Sequence, residues 1–134
     1  MMNSQQAKQF LQQVFTALVD SSYSTQDVAA FFSTDYQQQA DGNQLDYEAF
    51  IRHVQVLKST LASGTITLEK VMADGDQIAS VHLVDVVKKS GQRVLMKVIA
   101  FYRIEHGLIQ CVEELTHLIH GETQDRDLGS RVAH

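Results

Sequence analysis

Apolar residues follow two rhythms along this chain, and the switch between them divides it. From Ser4 to Val19, Ala7, Phe10, Leu11, Val14, Phe15, Leu18 and Val19 recur at three- and four-residue spacings, which predicts an amphipathic helix with Ser4 able to cap its start. Thr25, with Gln26 and Asp27 behind it, is placed to cap a second helical stretch carrying Val28, Ala29, Phe31 and Phe32 and ending near Ser33 to Asp35. Tyr36 to Asn43 is too polar for a core strand and ends in an Asp-Gly turn signal, so it reads as a short edge strand and loop. Asp46 caps a third helix whose buried stripe is Tyr47, Phe50, Ile51, Val54, Leu57 and Leu61, with Gly64 as its stop. After Gly64 the period becomes two. Thr65 to Ala73, Gln77 to Lys88, Arg93 to Ile104 and Leu108 to Ile119 are predicted strands, joined by Asp74-Gly75, Ser90-Gly91 and the Glu105 to Gly107 loop.

Turn chemistry then proposes a register. If Gly107 takes the left-handed position of a three-residue loop with a bulge, Tyr102 faces Gln110, Ala100 faces Val112, Val98 faces Glu114 and Met96 faces Thr116. One carboxylate then stands on the most apolar face, which is taken as inner. The other face pairs Phe101 with Cys111, Ile99 with Glu113, Lys97 with Leu115 and Leu95 with His117. A two-residue His106-Gly107 turn would instead point Glu113 inward. Two-residue turns at Ser90-Gly91 and Asp74-Gly75 continue the inner face through Ala79, Val81, Leu83 and Asp85 to Leu68 and Ile66.

Composition narrows the class. The 134 residues, 44% of them hydrophobic and none proline, are expected to form one domain over 1–134, with 1–3 and about 122–134 candidates for flexible ends; the polar tail reads equally as disordered or as lying along the sheet edge. A net charge of -5 from interspersed acids and bases, without a basic cluster among aromatics, argues against nucleic acid as a partner. No apolar run reaches the ~18 residues that cross a membrane, and the start of the chain lacks a basic-then-apolar leader pattern. Cys111 is the single cysteine, which suits a reducing compartment; the cytoplasm is the expected location. No glycine-rich phosphate loop is present, and the inferred register puts His82 and His117 on the outer face and His120 on the opposite one, so neither a cofactor nor a metal is expected.

Helices followed by a long antiparallel meander define an α+β domain with three N-terminal helices on a curved, mainly antiparallel sheet. At this point FTALVDSSYSTQDVAAFF, YQQQADGNQLDYEAFIRHV and the run GQRVLMKVIAFYRIEHGLIQCVEELTHLIHG resemble the cone fold of nuclear transport factor 2, ketosteroid isomerases, scytalone dehydratase and SnoaL-like polyketide cyclases. The likeness covers nearly the whole chain and is strongest to the SnoaL-like proteins. It implies a ligand cavity between helices and sheet, and commonly a homodimer. The isomerase pattern itself fails: Phe15 stands where that family has a phenol, Ala100 where it has an oxyanion-stabilising acid, and Asp41 is offset from its general base. With both donors missing, an enolate has nothing to stabilise it.

Glu114 is the foremost candidate for chemistry. A carboxyl in an apolar pocket has its pKa raised toward neutrality and suits proton transfer; the plain alternative is a carboxylate bonded to Thr116, to the tail or to Arg126. His53, beside the stripe of the third helix, is the best-placed base, or a hydrogen-bonded boundary residue. Asp41 is a third proton-transfer candidate. Tyr36 and Gln38, alternating with Asp41, and the facing pair Tyr102 and Gln110 supply polar groups to a ligand site, with Phe15, Val98, Val112 and Thr116 as its walls. Cys111 has no histidine and acid spaced to activate it. The expected ligand is a small apolar or aromatic molecule. Leu95, Ile99, Phe101, Ile109, Cys111, Leu115 and Ile119 would expose a broad apolar outer face, which predicts a two-fold homodimer packed sheet to sheet. The alternative is a non-catalytic assembly domain whose cavity is filled by its own side chains.

Overall fold

Asn3, one residue before the expected cap, starts the first helix. Its side chain accepts the Gln6 N–H at 2.8 Å while the Gln6 side chain accepts the Asn3 N–H at 3.0 Å, closing a capping box over two otherwise unpaired donors. In the same way Ser24, not Thr25, caps the second helix through Asp27. The computed structural model describes residues 2–122 and 125. Its elements are α1 (Ser4–Val19), α2 (Thr25–Ala29), β1 (Phe32–Ala40), β2 (Asn43–Asp46), α3 (Tyr47–Thr60), β3 (Leu61–Asp74), β4 (Gln77–Lys88), β5 (Arg93–Glu105) and β6 (Leu108–His120). One six-stranded sheet has the order β2-β1-β6-β5-β4-β3, antiparallel except where β1 runs parallel to β6.

This is the expected α+β architecture, with three boundaries moved. The second helix stops at Ala29 because Phe32 begins a nine-residue strand, and the Ile109 N–H donates to the Phe31 carbonyl to pin its start to β6. That strand is therefore interior, and β2 is the edge. α3 ends at Thr60, where Ser59 and Thr60 hydroxyls bond back to the Val56 carbonyl and Leu61 turns extended. Gly64 is thus no helix stop. It lies in β3 where a Cβ would come within 2.7 Å of Val86 Cγ1, so its lack of a side chain lets α1 and β4 close on the strand.

All three meander turns differ from expectation. The β3–β4 turn is Gly75-Asp76 instead of Asp74-Gly75, and a bulge between Leu68 and Lys70 sets Leu68 beside His82 and Ile66 beside Val84. The other two differ with opposite consequences. The β5–β6 connection is the two-residue turn His106-Gly107, both with positive φ, which alone would have inverted β6. A bulge between Ile109 and Cys111 adds one residue and restores the parity. Glu114 therefore points inward, but opposite Ala100 instead of Val98, and Tyr102 faces Val112 instead of Gln110. The β4–β5 connection is a three-residue loop, Lys89 to Gly91, in which the Lys88 N–H donates to the Gln92 carbonyl. That shifts β4 by one. Ile78, Ser80, His82, Val84 and Val86 face in, and the expected Ala79, Val81, Leu83 and Asp85 face out.

The main core joins α1 to the sheet: Ala7, Leu11, Val14 and Phe15 pack with Val98, Ala100, Tyr102, Ile109 and Val112. Each such aliphatic or aromatic side chain contributes roughly 1.5–3 kcal/mol by leaving water. A second cluster of Leu57, Leu61, Val86, Val94 and Met96 fills the other end. Beside it, Lys88 Nζ lies 2.6 Å from Asp125 Oδ1, and Asp125 is fully buried. Residues 123, 124 and 126–134, Arg126 among them, lie outside the described residues.

Candidate functional site

Register lays the site out in rows across the inner face. In one row Glu114 of β6 stands between Ala40 of β1 and Ala100 of β5, with Ser80 of β4 beyond Ala100. The row on one side runs Gln38, Val112, Tyr102, Ile78, and the row on the other runs Thr116, Val98, His82, Leu68. Two flanking alanines leave space over the sheet that longer side chains would fill. α1 and α3 roof this space with Val14, Phe15, Phe50 and His53. The resulting cavity measures about 110 Å³. That is close to the ~150 Å³ that accepts one benzene ring and below the ~300–1,000 Å³ of drug-sized sites.

Its walls are mostly aliphatic and aromatic, so each polar group stands out. Glu114 is half-buried, and no hydrogen bond to its carboxyl is formed among the described residues. Burial, and then the neighbouring Asp41 charge, push its pKa up to about 8, so it carries its proton at neutral pH. The Tyr36 hydroxyl donates to Gln38 Oε1 at 2.8 Å. Burial raises the pKa of Tyr36 and Tyr102, and the Glu114 charge adds to both. Tyr102 Oη lies 2.8 Å from Ser80 Oγ, which lies 3.1 Å from His82 Nδ1. The His82 ring packs against Phe15 at 4.6 Å, and burial lowers its pKa to about 4, so it is neutral at pH 7.

Of the residues expected here, Glu114, His53, Tyr36, Gln38, Phe15, Tyr102, Val98, Val112 and Thr116 line the cavity. Asp41 and Gln110 do not. Asp41 is exposed in the left-handed β1–β2 turn, its carboxylate accepts the Thr116 N–H at 2.7 Å, its backbone N–H donates to the Glu114 carbonyl at 3.0 Å, and its side chain acts on the Glu114 carboxyl by charge alone. Gln110 sits in the β6 bulge, where the ladder skips it. Sequence reasoning missed Ser80 and His82. Only the true length of the β4–β5 loop could have found them, because β4 is apolar on both faces. Asp85 belongs to the outer face, where Arg93 grips it through two 2.9 Å bonds. Among the described residues, no three of histidine, cysteine, aspartate and glutamate converge as a metal site requires.

Comparison with known proteins adds three findings. A family model for the SnoaL-like domain matches residues 9–112. An uncharacterised protein of Schizosaccharomyces pombe is 35% identical over 127 residues, which is 95% of this chain and 98% of that protein. Among solved structures, AclR, a putative hydroxylase from Streptomyces galilaeus, superposes with a TM-score of 0.72 at 14% identity over 96% of this chain and 87% of its own. IdmH, a putative polyketide cyclase from Streptomyces antibioticus, superposes with a TM-score of 0.68 at 14% identity over 83% of this chain and 91% of its own. At such identities the two structures establish a shared fold.

Proposed function

The chain belongs to the SnoaL-like family, and on that premise we propose that it binds a small, largely apolar, ring-sized molecule in the cone cavity and performs cofactor-independent acid–base chemistry on it, as a cyclase, isomerase or dehydratase would. Glu114 is the proton-transfer group. The observation that carries this reading is a carboxyl with no hydrogen bond among the described residues in a largely apolar cavity, where burial pushes its pKa up to about 8. Folding gains nothing from an acid so placed, since burying it unpaired is costly; a ligand gains an acid poised near the working pH. His53, on the roof, is the candidate second proton-transfer group. An assembly-only domain would be expected to fill this space with its own side chains.

The test is a thermal-shift panel of small aromatic acids, monocyclic ketones and polyketide-like rings, with four-ring steroids as the oversized arm, run on the native protein and on Glu114→Gln. Binding raises Tm in proportion to ligand affinity. Small rings are expected to shift the native protein, and the substitution to change which of them do. If nothing shifts either protein, the reading fails.

The outer sheet face supports a second element of the proposal, a two-fold homodimer. Ile99, Phe101, Leu115 and Ile119 are each at least half exposed on β5 and β6 and lie among Lys97, Arg103 and Glu113, the mixed signs that a self-complementary interface uses. Ile109, expected on that surface, is instead core. No helix among the described residues is long and apolar enough to cross a membrane. The single thiol fits the cytoplasm as the proposed location.

A further inference from the structure

The cavity holds a second polar device, at the end away from Glu114. His82 is 4% exposed and lines the cavity. Its Nδ1 is engaged by Ser80 Oγ at 3.1 Å, and its Nε2 has no hydrogen-bond partner among the described residues. Counting protons fixes which nitrogen carries the hydrogen. Tyr102 is buried, and its hydroxyl has Ser80 Oγ as its only hydrogen-bond partner among the described residues, so its proton goes to that oxygen. Ser80 Oγ has a second lone pair for an Nδ1–H, but its own O–H would then have no partner among the described residues; donating that proton onward to Nδ1 pairs every hydroxyl of the chain and leaves the single ring proton of a neutral histidine on Nε2. The reverse order would strand the Tyr102 O–H, at a cost of ~1–3 kcal/mol. Because Glu114 is uncharged at neutral pH, it does not compete for that proton.

We propose that the Tyr102–Ser80–His82 chain is a positioning relay that holds His82 as an Nε2–H donor, and that this donor receives the acceptor oxygen of the ligand, which is therefore a small ring ketone or an ester-like carbonyl compound. The inference rests on reading the cavity as a ligand site and specifies its second contact. His82 and Glu114 are two strands and two residues apart on one face, roughly 12 Å between Cα atoms by ordinary strand spacing. With both side chains reaching inward over Ala100, the gap suits one ring held at two ends. A carbonyl-free ring of the same size leaves the Nε2–H unpaired, and sites built around such a donor discriminate strongly against ligands that cannot use it.

The test is 15N NMR of the histidine ring nitrogens in the full-length protein near pH 7, with cyclohexanone and methylenecyclohexane as matched probes. The native protein is expected to show His82 protonated on Nε2 alone. Ser80→Ala should leave a mixture of tautomers, and Ser80→Thr, which keeps the hydroxyl, should restore the single form. Cyclohexanone should move the Nε2 resonance, whereas methylenecyclohexane should move only the resonances of apolar walls. A native His82 protonated on Nδ1, or one indifferent to Ser80→Ala in a variant that remains folded, overturns the relay. Equal Nε2 shifts with the two probes overturn the carbonyl contact. If neither probe perturbs any cavity resonance, the ligand-site reading itself falls and the carbonyl contact with it, while the tautomer measurement still decides the relay.

Discussion

The two faces of β5 and β6 break the rules of burial in opposite directions. Inside, beneath α1, an acid and an imidazole sit among aliphatic side chains without the full set of hydrogen bonds that buried polar groups normally have. Outside, Ile99 at 56%, Phe101 at 57% and Leu115 at 69% exposure stand in water although large apolar clusters are seldom left so on a monomer. Residues one position apart, Val98 and Ile99 or Glu114 and Leu115, thus answer to different demands. The difference teaches that the two faces carry opposite costs, polar groups short of hydrogen bonds on the inner one and apolar side chains in water on the outer one, and the proposed ligand and homodimer are the partners that would relieve them.

Substitution at neighbouring positions should separate the faces sharply. Val98→Lys places an ammonium in the core cluster, 5% exposed at present, and is expected to cost about 4 kcal/mol or more, enough to abolish cooperative unfolding in a urea titration. Ile99→Lys should leave the stability of the monomer within about 0.5 kcal/mol of native and act on association instead. Sedimentation equilibrium is expected to show a dimer for the native chain and a monomer for this variant. If Ile99→Lys unfolds the protein while Val98→Lys is tolerated, the faces have been assigned the wrong way round. If both variants fold and both associate as the native chain does, the outer face is not the interface.

Much of this contrast was legible in the sequence. Heptad-like spacing gave α1 and α3, and alternation gave four long strands, because amphipathic elements must present one face to the core whatever the loops do. Glu114 was correctly placed inward, although through two departures that cancelled: a shorter turn and a bulge at Gln110. His82 was lost for a physical reason. In HLVDVV the residues that face in and those that face out are both largely apolar, so sliding β4 by one leaves its pattern almost as good, and the register rests on the loop alone. Ser90-Gly91 looked like a two-residue turn, but Gly91 adopts its positive φ at the end of a three-residue loop. β1 was misread because its inward residues include Tyr36 and Gln38, whose side chains join in a hydrogen bond within the strand. A polar strand can be interior when its polar groups pair at short range.

The raised pKa of Glu114 and the lowered pKa of His82 act on stability with opposite signs. A carboxyl whose folded pKa of about 8 exceeds the unfolded value contributes stability that is complete below about 4.5 and is lost as pH rises through 8. An imidazole depressed to about 4 contributes stability present above about 6.5 and lost as pH falls through 4. Between 6.5 and 8, therefore, only Glu114 acts, and stability should fall as pH rises, a slope that Glu114→Gln removes.

The most direct measurement is a 13C NMR titration of the Glu114 side-chain carboxyl in the native protein, assigned by its loss in Glu114→Gln. A midpoint near 8, well separated from the other carboxyls, is the result expected of an acid held protonated by burial in the cavity. A midpoint near the ordinary 4.5 would mean that water or a protein partner already satisfies the carboxylate, and the inner face would then have no unmet demand for a small molecule to fill.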